Sequence, residues 1–217
     1  MVRLALFPLH TVLFPGMALP LHIFEPRYRR MVHACLKDQA PFGVVLIRAG
    51  REVGGPAVPY NVGTLARIRH VEHLPDGRMN IVTIGTQRFR LLTMSADKQS
   101  YFVGDVELLE DDPHSAAAPS ELVDQVGNLV QRYVALVQTA TGRDLVPLRL
   151  PPSPQELSYL VGAELHIGNR ERQRLLEVLS TTDRLTAERQ ILEREIQTVE
   201  AVLEQRKSGG FGPFSRN

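Results

Sequence analysis

Apolar residues recur with two different periods along the 217 residues. Through the first half they form short extended runs. Val2–Phe7 and Ala18–Phe24 read as strands separated by a corner at Phe14-Pro15-Gly16. Because proline cannot donate to a ladder, Pro8, Pro15 and Pro20 confine these strands to ends, edges or bulges. After Pro26 the period changes. Tyr28, Met31, Val32, Cys35 and Leu36 fall on one helical face, with Pro26 suited to the first helical position. Phe42–Ile47 resumes the strands, and Arg48 to Gly63 reads as a glycine-rich loop. Thr64–Leu74 and Met79–Leu92 are the longest strand candidates. They are joined by Leu74-Pro75-Asp76-Gly77-Arg78, whose Pro, Asp and Gly suit a tight hairpin. Tyr101–Leu109 reads as a further strand, stopped by Asp111, Asp112 and Pro113.

Residues 114–119 read as a linker, beyond which the period is helical throughout. One stripe runs from Leu122 through Val126, Leu129, Val130 and Tyr133 to Val137, and Thr141-Gly142 can end that helix. Ser153-Pro154-Gln155-Glu156 is a capping box introducing Leu157, Leu160, Val161 and Leu165. Gly168-Asn169 ends that helix and caps a short one carrying Leu175 and Leu176. A long helix then starts at Asp183 with Leu185, Leu192, Ile196, Val199 and Leu203 on one face. The pattern predicts an α+β chain: a strand-rich unit with one short helix over 1–113, an α-helical bundle over 120–207, and a flexible tail over 208–217.

Composition narrows the classes. At 43% hydrophobic and 23% charged residues, the chain is an ordinary globular one. Residues 1–115 carry 13 Lys/Arg against 11 Asp/Glu and residues 116–217 carry 12 against 13, so neither half has the basic excess of a phosphate-backbone binder. The single Cys35 cannot form an internal disulfide. Prolines and histidines break the apolar N-terminal stretch, leaving no signal core or membrane span. A cytoplasmic protein is expected. Cys35 itself lies on the apolar helix face and reads as a core thiol rather than a nucleophile.

Catalytic and cofactor motifs are missing from the sequence. The lysines, Lys37, Lys98 and Lys207, follow no glycine, which excludes a phosphate loop. Gly50, Gly54 and Gly55 sit between strands and do not open a helix, so no dinucleotide fingerprint is formed. There is no Gly-x-Ser-x-Gly elbow and no His-Glu-x-x-His helix. His70 and His73 lie on a strand whose alternation sends them to opposite faces, so they cannot share a metal. Glu110, Asp111 and Asp112 read as a solvated turn in preference to a divalent-cation site. Arginines outnumber lysines 22 to 3, yet they are scattered and matched by acids. Arg27, Arg29 and Arg30 oppose the dipole of the first helix, and an ion pair between Arg27 and Glu25 is the simpler role. No metal, no cofactor and no catalytic residue is expected.

The motifs together resemble a known family. Leu6-Phe7-Pro8-Leu9, Val12-Leu13-Phe14-Pro15-Gly16 and the run from Leu19 to Tyr28 closely resemble the start of the Lon N-terminal domain family, in its standalone bacterial form. Phe42–Ile47, Val62–Ala66, Leu74–Arg78, Gly85 with Arg88-Phe89-Arg90, Leu157-Ser158-Tyr159 and Leu175–Glu177 extend the likeness over about residues 3–205. The resemblance implies a PUA-like β-barrel followed by a helical subdomain. It also implies protein-substrate recognition without hydrolysis, since nothing resembles the ATPase or the serine–lysine peptidase.

A barrel beside a bundle offers a crevice for an extended peptide. Phe14 and Met17 at the Pro15-Gly16 corner, Glu25 and Arg27 at the strand-to-helix corner, and Val58 and Tyr60 in the long loop are the candidate contact residues. Core packing is the competing role for Phe14, and covering the barrel end is the competing role for Tyr60. The expected function is a non-catalytic module binding unfolded or peptide-like protein segments. An RNA-binding PUA-like protein and a small-molecule enzyme using a barrel pocket are the alternatives. The first would need a continuous basic surface, the second a cleft of converging polar groups.

Overall fold

The computed structural model describes residues 1–52, 57–96, 101–111, 118–144 and 147–208. Residues 114–117 of the expected 114–119 linker, the loop glycines Gly54 and Gly55, and the tail beyond 208 lie outside them. Among the described residues six strands are followed by four helices, with one helix inserted early: β1 (Val2–Leu9), β2 (Ala18–Ile23), α1 (Pro26–Lys37), β3 (Phe42–Gly50), β4 (Ala57–His73), β5 (Met79–Ala96), β6 (Phe102–Leu108), α2 (Ser120–Thr141), α3 (Pro154–Glu164), α4 (Asn169–Glu177) and α5 (Thr181–Ser208). The chain is α+β, as expected.

The sheet is mixed, in the order β2-β5-β4-β3-β1-β6, with β1 and β3 parallel and β6 pairing with β5 as well as β1. The circuit of pairings therefore returns to β5. Bulges near Leu65, Arg69 and Leu92 interrupt the ladders of the two longest strands, where an extra residue bends the strand and sharpens its twist. Consecutive residues of β1 and β3 are buried on opposite sides. Leu6 and Val45 pack with Phe89, whereas Phe7 and Val44 join Tyr28, Met31 and Cys35 of α1. Burial on both faces accounts for the unbroken apolar run at Phe42–Ile47.

Several boundaries differ from the sequence reading, and those of β3, β4 and α3 bear on the site. β3 runs on to Gly50 and β4 begins at Ala57, so Val58 and Tyr60 lie on a strand rather than in a loop. Register shifts between β3 and β4 place Pro59 opposite Ile47, an irregular stretch that tolerates a residue without an N–H. α3 ends at Glu164, before Gly168, because Leu165 is already extended. The Asn169 side chain donates to the His10 carbonyl at 2.6 Å.

The helices pack onto the sheet in a shared core. Val12, Phe14, Leu46, Val62 and Leu109 pack with Val126, Tyr133, Leu157, Leu176, Leu185 and Leu192. α2 and α5 run parallel, tied by Arg189 to Gln125 at 3.1 Å and Arg132 to Glu200 at 2.6 Å. Arg206 donates to the Ala140 carbonyl at 2.6 Å, at the negative end of α2. Among the described residues no helix is long and apolar enough to cross a membrane.

Candidate functional site

A groove of about 770 Å³ lies between the Pro15–Ala18 corner and one face of α3. Its first wall is built by backbone geometry. Phe14-Pro15-Gly16-Met17 closes a turn through Met17 N–H to the Phe14 carbonyl at 3.1 Å, with proline and then glycine in the central positions of a type II turn. Gly16 has φ +81°, which that position requires. Gly16 N–H donates to the Gly85 carbonyl and Gly85 N–H to the Met17 carbonyl, both at 2.9 Å, so two residues oppose one in a bulge that starts β2. The corner is thus fixed at both ends.

The second wall is α3. Ser153 accepts from Glu156 N–H at 3.5 Å and Pro154 occupies the first turn, so the capping box starts the helix where the sequence places it. Leu157, Tyr159 and Val161 are buried. Gln155, Glu156, Leu160, Ala163 and Glu164 line the groove with Met17 and Thr86, and Arg149 and Pro151 border it. Arg172, from α4, braces the corner from beneath. It donates to the Gly162 carbonyl at 3.3 Å, approaches the Met17 sulfur at 3.7 Å, and stands 5.6 Å from the Phe14 ring centre. Burial draws its pKa below the ordinary guanidinium value, against the pull of Glu164.

A smaller hollow of about 250 Å³ shares Pro15, Thr86, Gln155 and Tyr159 with the groove and reaches Arg88, Glu110 and Asp111. Beneath it lies a polar network that corrects the reading of Asp111 as a solvated turn residue. Asp111 is buried. It accepts from Arg88, from Arg184 at 2.6 Å, from the Tyr159 hydroxyl at 2.6 Å and from Thr181 at 3.1 Å. Arg88 also donates to the Leu176 and Val178 carbonyls, both at 2.6 Å, and Arg184 to the Val178 carbonyl at 2.7 Å and the Ser158 hydroxyl at 2.8 Å. Burial alone would raise the Asp111 pKa. The Tyr159 hydroxyl and the Arg184 and Arg88 guanidiniums outweigh it and hold the carboxyl below its ordinary value. Burial pushes the Tyr159 hydroxyl up to about 12, so it stays a hydrogen-bond donor. The two arginines are spent on structure, and they bind α3, α4 and α5 to the sheet.

The six residues singled out from the sequence do not form one surface. Met17 lines the groove. Phe14 is fully buried beneath it, because its ring fits against Gly162 of α3, so core packing replaces the contact role. Glu25 and Arg27 pair with each other at 3.0 Å at the start of α1. Arg27 also donates to the Glu52 carbonyl at 3.2 Å and stacks over Tyr28 at 4.5 Å. Tyr60 is half-buried against the helical core, and Val58 is 46% exposed on β4. Sequence reasoning missed Leu160, Ala163 and Tyr159. The signal for Leu160 was its place in the α3 apolar series, which is wider than one buried stripe.

The arrangement suits binding. Among the described residues no group of three or more His, Cys, Asp or Glu side chains is placed to hold a metal ion. The family model for the substrate-binding domain of ATP-dependent protease La (LON) matches residues 3–194. The chain is 31% identical over 192 residues to Lon protease 1 of Hydrogenovibrio crunogenus, covering 88% of this chain and 23% of that protein. It is 28% identical over 197 residues to Lon protease of Solibacter usitatus, covering 90% of this chain and 24% of that one. The chain thus spans about a quarter of the length of these curated relatives. A Lon N-terminal domain protein from Xanthomonas campestris superposes with a TM-score of 0.64 at 27% identity, over 86% of this chain and 96% of that one. The N-terminal domain of Mycobacterium avium complex Lon protease shares the fold, with a TM-score of 0.63 at 17% identity over 88% and 98% of the two chains. By the match along most of its length, this chain belongs to the LON substrate-binding domain family.

Proposed function

We propose that this chain is a non-catalytic binding module that takes up unfolded or peptide-like protein segments in the groove between the Pro15–Ala18 corner and α3. The observation that carries the reading is the groove itself. It is a trough of about 770 Å³ with Met17, Leu160 and Ala163 along its sides, between walls fixed by the bulge at Gly16 and by the Arg172 brace. A pre-formed, partly apolar site loses little on binding because its walls are already ordered. Membership of the substrate-binding family supports a protein ligand and a cytoplasmic setting. The circuit of strand pairings supports a PUA-like barrel as the scaffold. Glu156 and Glu164 on the groove wall disfavour a phosphate backbone as the ligand.

The test is site-specific photo-crosslinking to a permanently unfolded protein. A photoreactive residue at position 160 should capture the unfolded protein and not its folded form, and Leu160→Asp should abolish competition by the untagged chain. The same probe at Val58, which is exposed on β4 and does not line the groove, should capture little. Equal capture from both positions, or of both folded and unfolded proteins, would overturn the reading.

A further inference from the structure

The groove carries charge in a pattern. Glu156 and Glu164 both line it, eight positions apart on α3. At 1.5 Å per residue they stand about 12 Å apart along the helix axis. Between them the groove is lined by Leu160 and Ala163, with Met17 on the facing wall. Among the described residues neither carboxylate is engaged in an ion pair or a side-chain hydrogen bond. This contrasts with Asp111 and Glu25, both committed to arginines. Among the described residues Arg149 is the one exposed cation that lines the groove. Arg172, next to Glu164 electrostatically, is turned to the Gly162 and Ala163 carbonyls and the Met17 sulfur.

An extended polypeptide matches this spacing. Side chains four residues apart on a strand point the same way and lie about 13 Å apart, with the residue midway between them on the same face. Resting on the groove reading above, we propose that the site selects extended segments with a cationic side chain at each end of a five-residue stretch and an aliphatic one at its centre. The cations meet Glu156 and Glu164, and the aliphatic side chain lies over Leu160 and Ala163. Arg149 opposes the cations and limits the preference.

Fluorescence anisotropy with short labelled peptides, titrated with the full chain, tests this. Each peptide has a central leucine in a serine frame, flanked two residues away on both sides by Lys, Gln or Glu. In a fourth peptide the lysines directly adjoin the leucine. The Lys peptide should bind about three- to tenfold more tightly than the Gln peptide, the range expected of two exposed ion pairs. High salt should shrink that margin, and the adjoining-lysine peptide should lose it. The double variant Glu156→Gln/Glu164→Gln should bind the Lys and Gln peptides equally, removing the margin between them. Arg149→Gln should widen the margin. Equal binding of the Lys, Gln and Glu peptides would overturn the charge selection while leaving the groove reading standing, and tightest binding of the Glu peptide would do the same. Binding of none of them would overturn both.

Discussion

Phe14 lays its ring against Gly162 so closely that a Cβ on Gly162 would come within 2.5 Å of it. The contact joins the Pro15–Gly16 corner to α3, the two walls of the groove. A phenylalanine flanking an exposed turn thus becomes the support under the groove. Arg172 closes over the same ring from α4. The relative position of the walls therefore depends on one glycine in a helix interior.

Gly162→Ala should destabilise the fold by on the order of 1 kcal/mol. Overpacking costs about 1–3 kcal/mol, and removing a glycine from a helix returns up to about 1. In a double-mutant cycle with Phe14→Leu, measured by urea unfolding, the smaller leucine side chain should recover most of the loss. Additive losses would mean that the two residues do not meet.

Asp111→Ala should cost about 3–5 kcal/mol, because Arg88 and Arg184 would remain buried without their carboxylate. The same network sets an acid dependence. The folded-state pKa of Asp111 lies below its unfolded value. Its stabilisation is therefore fully present above the ordinary aspartate range and is lost as pH falls through the folded value. Urea midpoints of Asp111→Asn should show a shallower acid slope than those of the parent, and identical slopes would contradict the assignment.

Glu188 predicts the opposite sign. Both of its carboxylate oxygens are buried with no hydrogen-bond partner among the described residues. Burial pushes its pKa well above the carboxylate range, while Arg184, one turn earlier, pulls it down. A raised folded-state pKa gives stability that is complete below the unfolded value and is lost as pH rises through the folded one. Glu188→Gln should match the parent in mild acid and become increasingly the more stable of the two as pH rises. Parallel stability curves would contradict it.

Cys35 should resist thiol reagents in the folded protein. It is buried on α1, and burial pushes its thiol up to about 11, so little thiolate is present at neutral pH. Its labelling rate should follow global unfolding, rising in step with the urea transition.

Local chemistry made much of the fold legible. The hairpin after β4 forms as the Pro-Asp-Gly run implies. Leu74 N–H donates to the Arg78 carbonyl at 2.9 Å, Gly77 sits at φ +78°, and Asp76 accepts from Arg78 N–H at 3.0 Å. Pro26 and the Ser153 cap mark the starts of α1 and α3 for equally local reasons. Asp111 was not legible because its partners come from far along the chain. Arg88 lies on a strand, and Tyr159, Thr181 and Arg184 lie on helices that meet it only after packing. Arg88 alternates with Phe89 along β5, but nothing local to the strand tells that helices cover its face. Phe14 failed for the same reason, since its burial depends on the bare backbone of Gly162. The groove was legible as a crevice between strands and helices, but not which residues line it.

The most direct test of the groove as a binding site is amide chemical-shift mapping of the isotopically labelled chain titrated with an unfolded protein. The account predicts saturable shifts concentrated at Gly16–Ala18, Thr86 and along α3 from Gln155 to Glu164, with the exposed face of β4 around Val58 unmoved. Shifts centred elsewhere, with Met17 and α3 unperturbed at saturation, would contradict it.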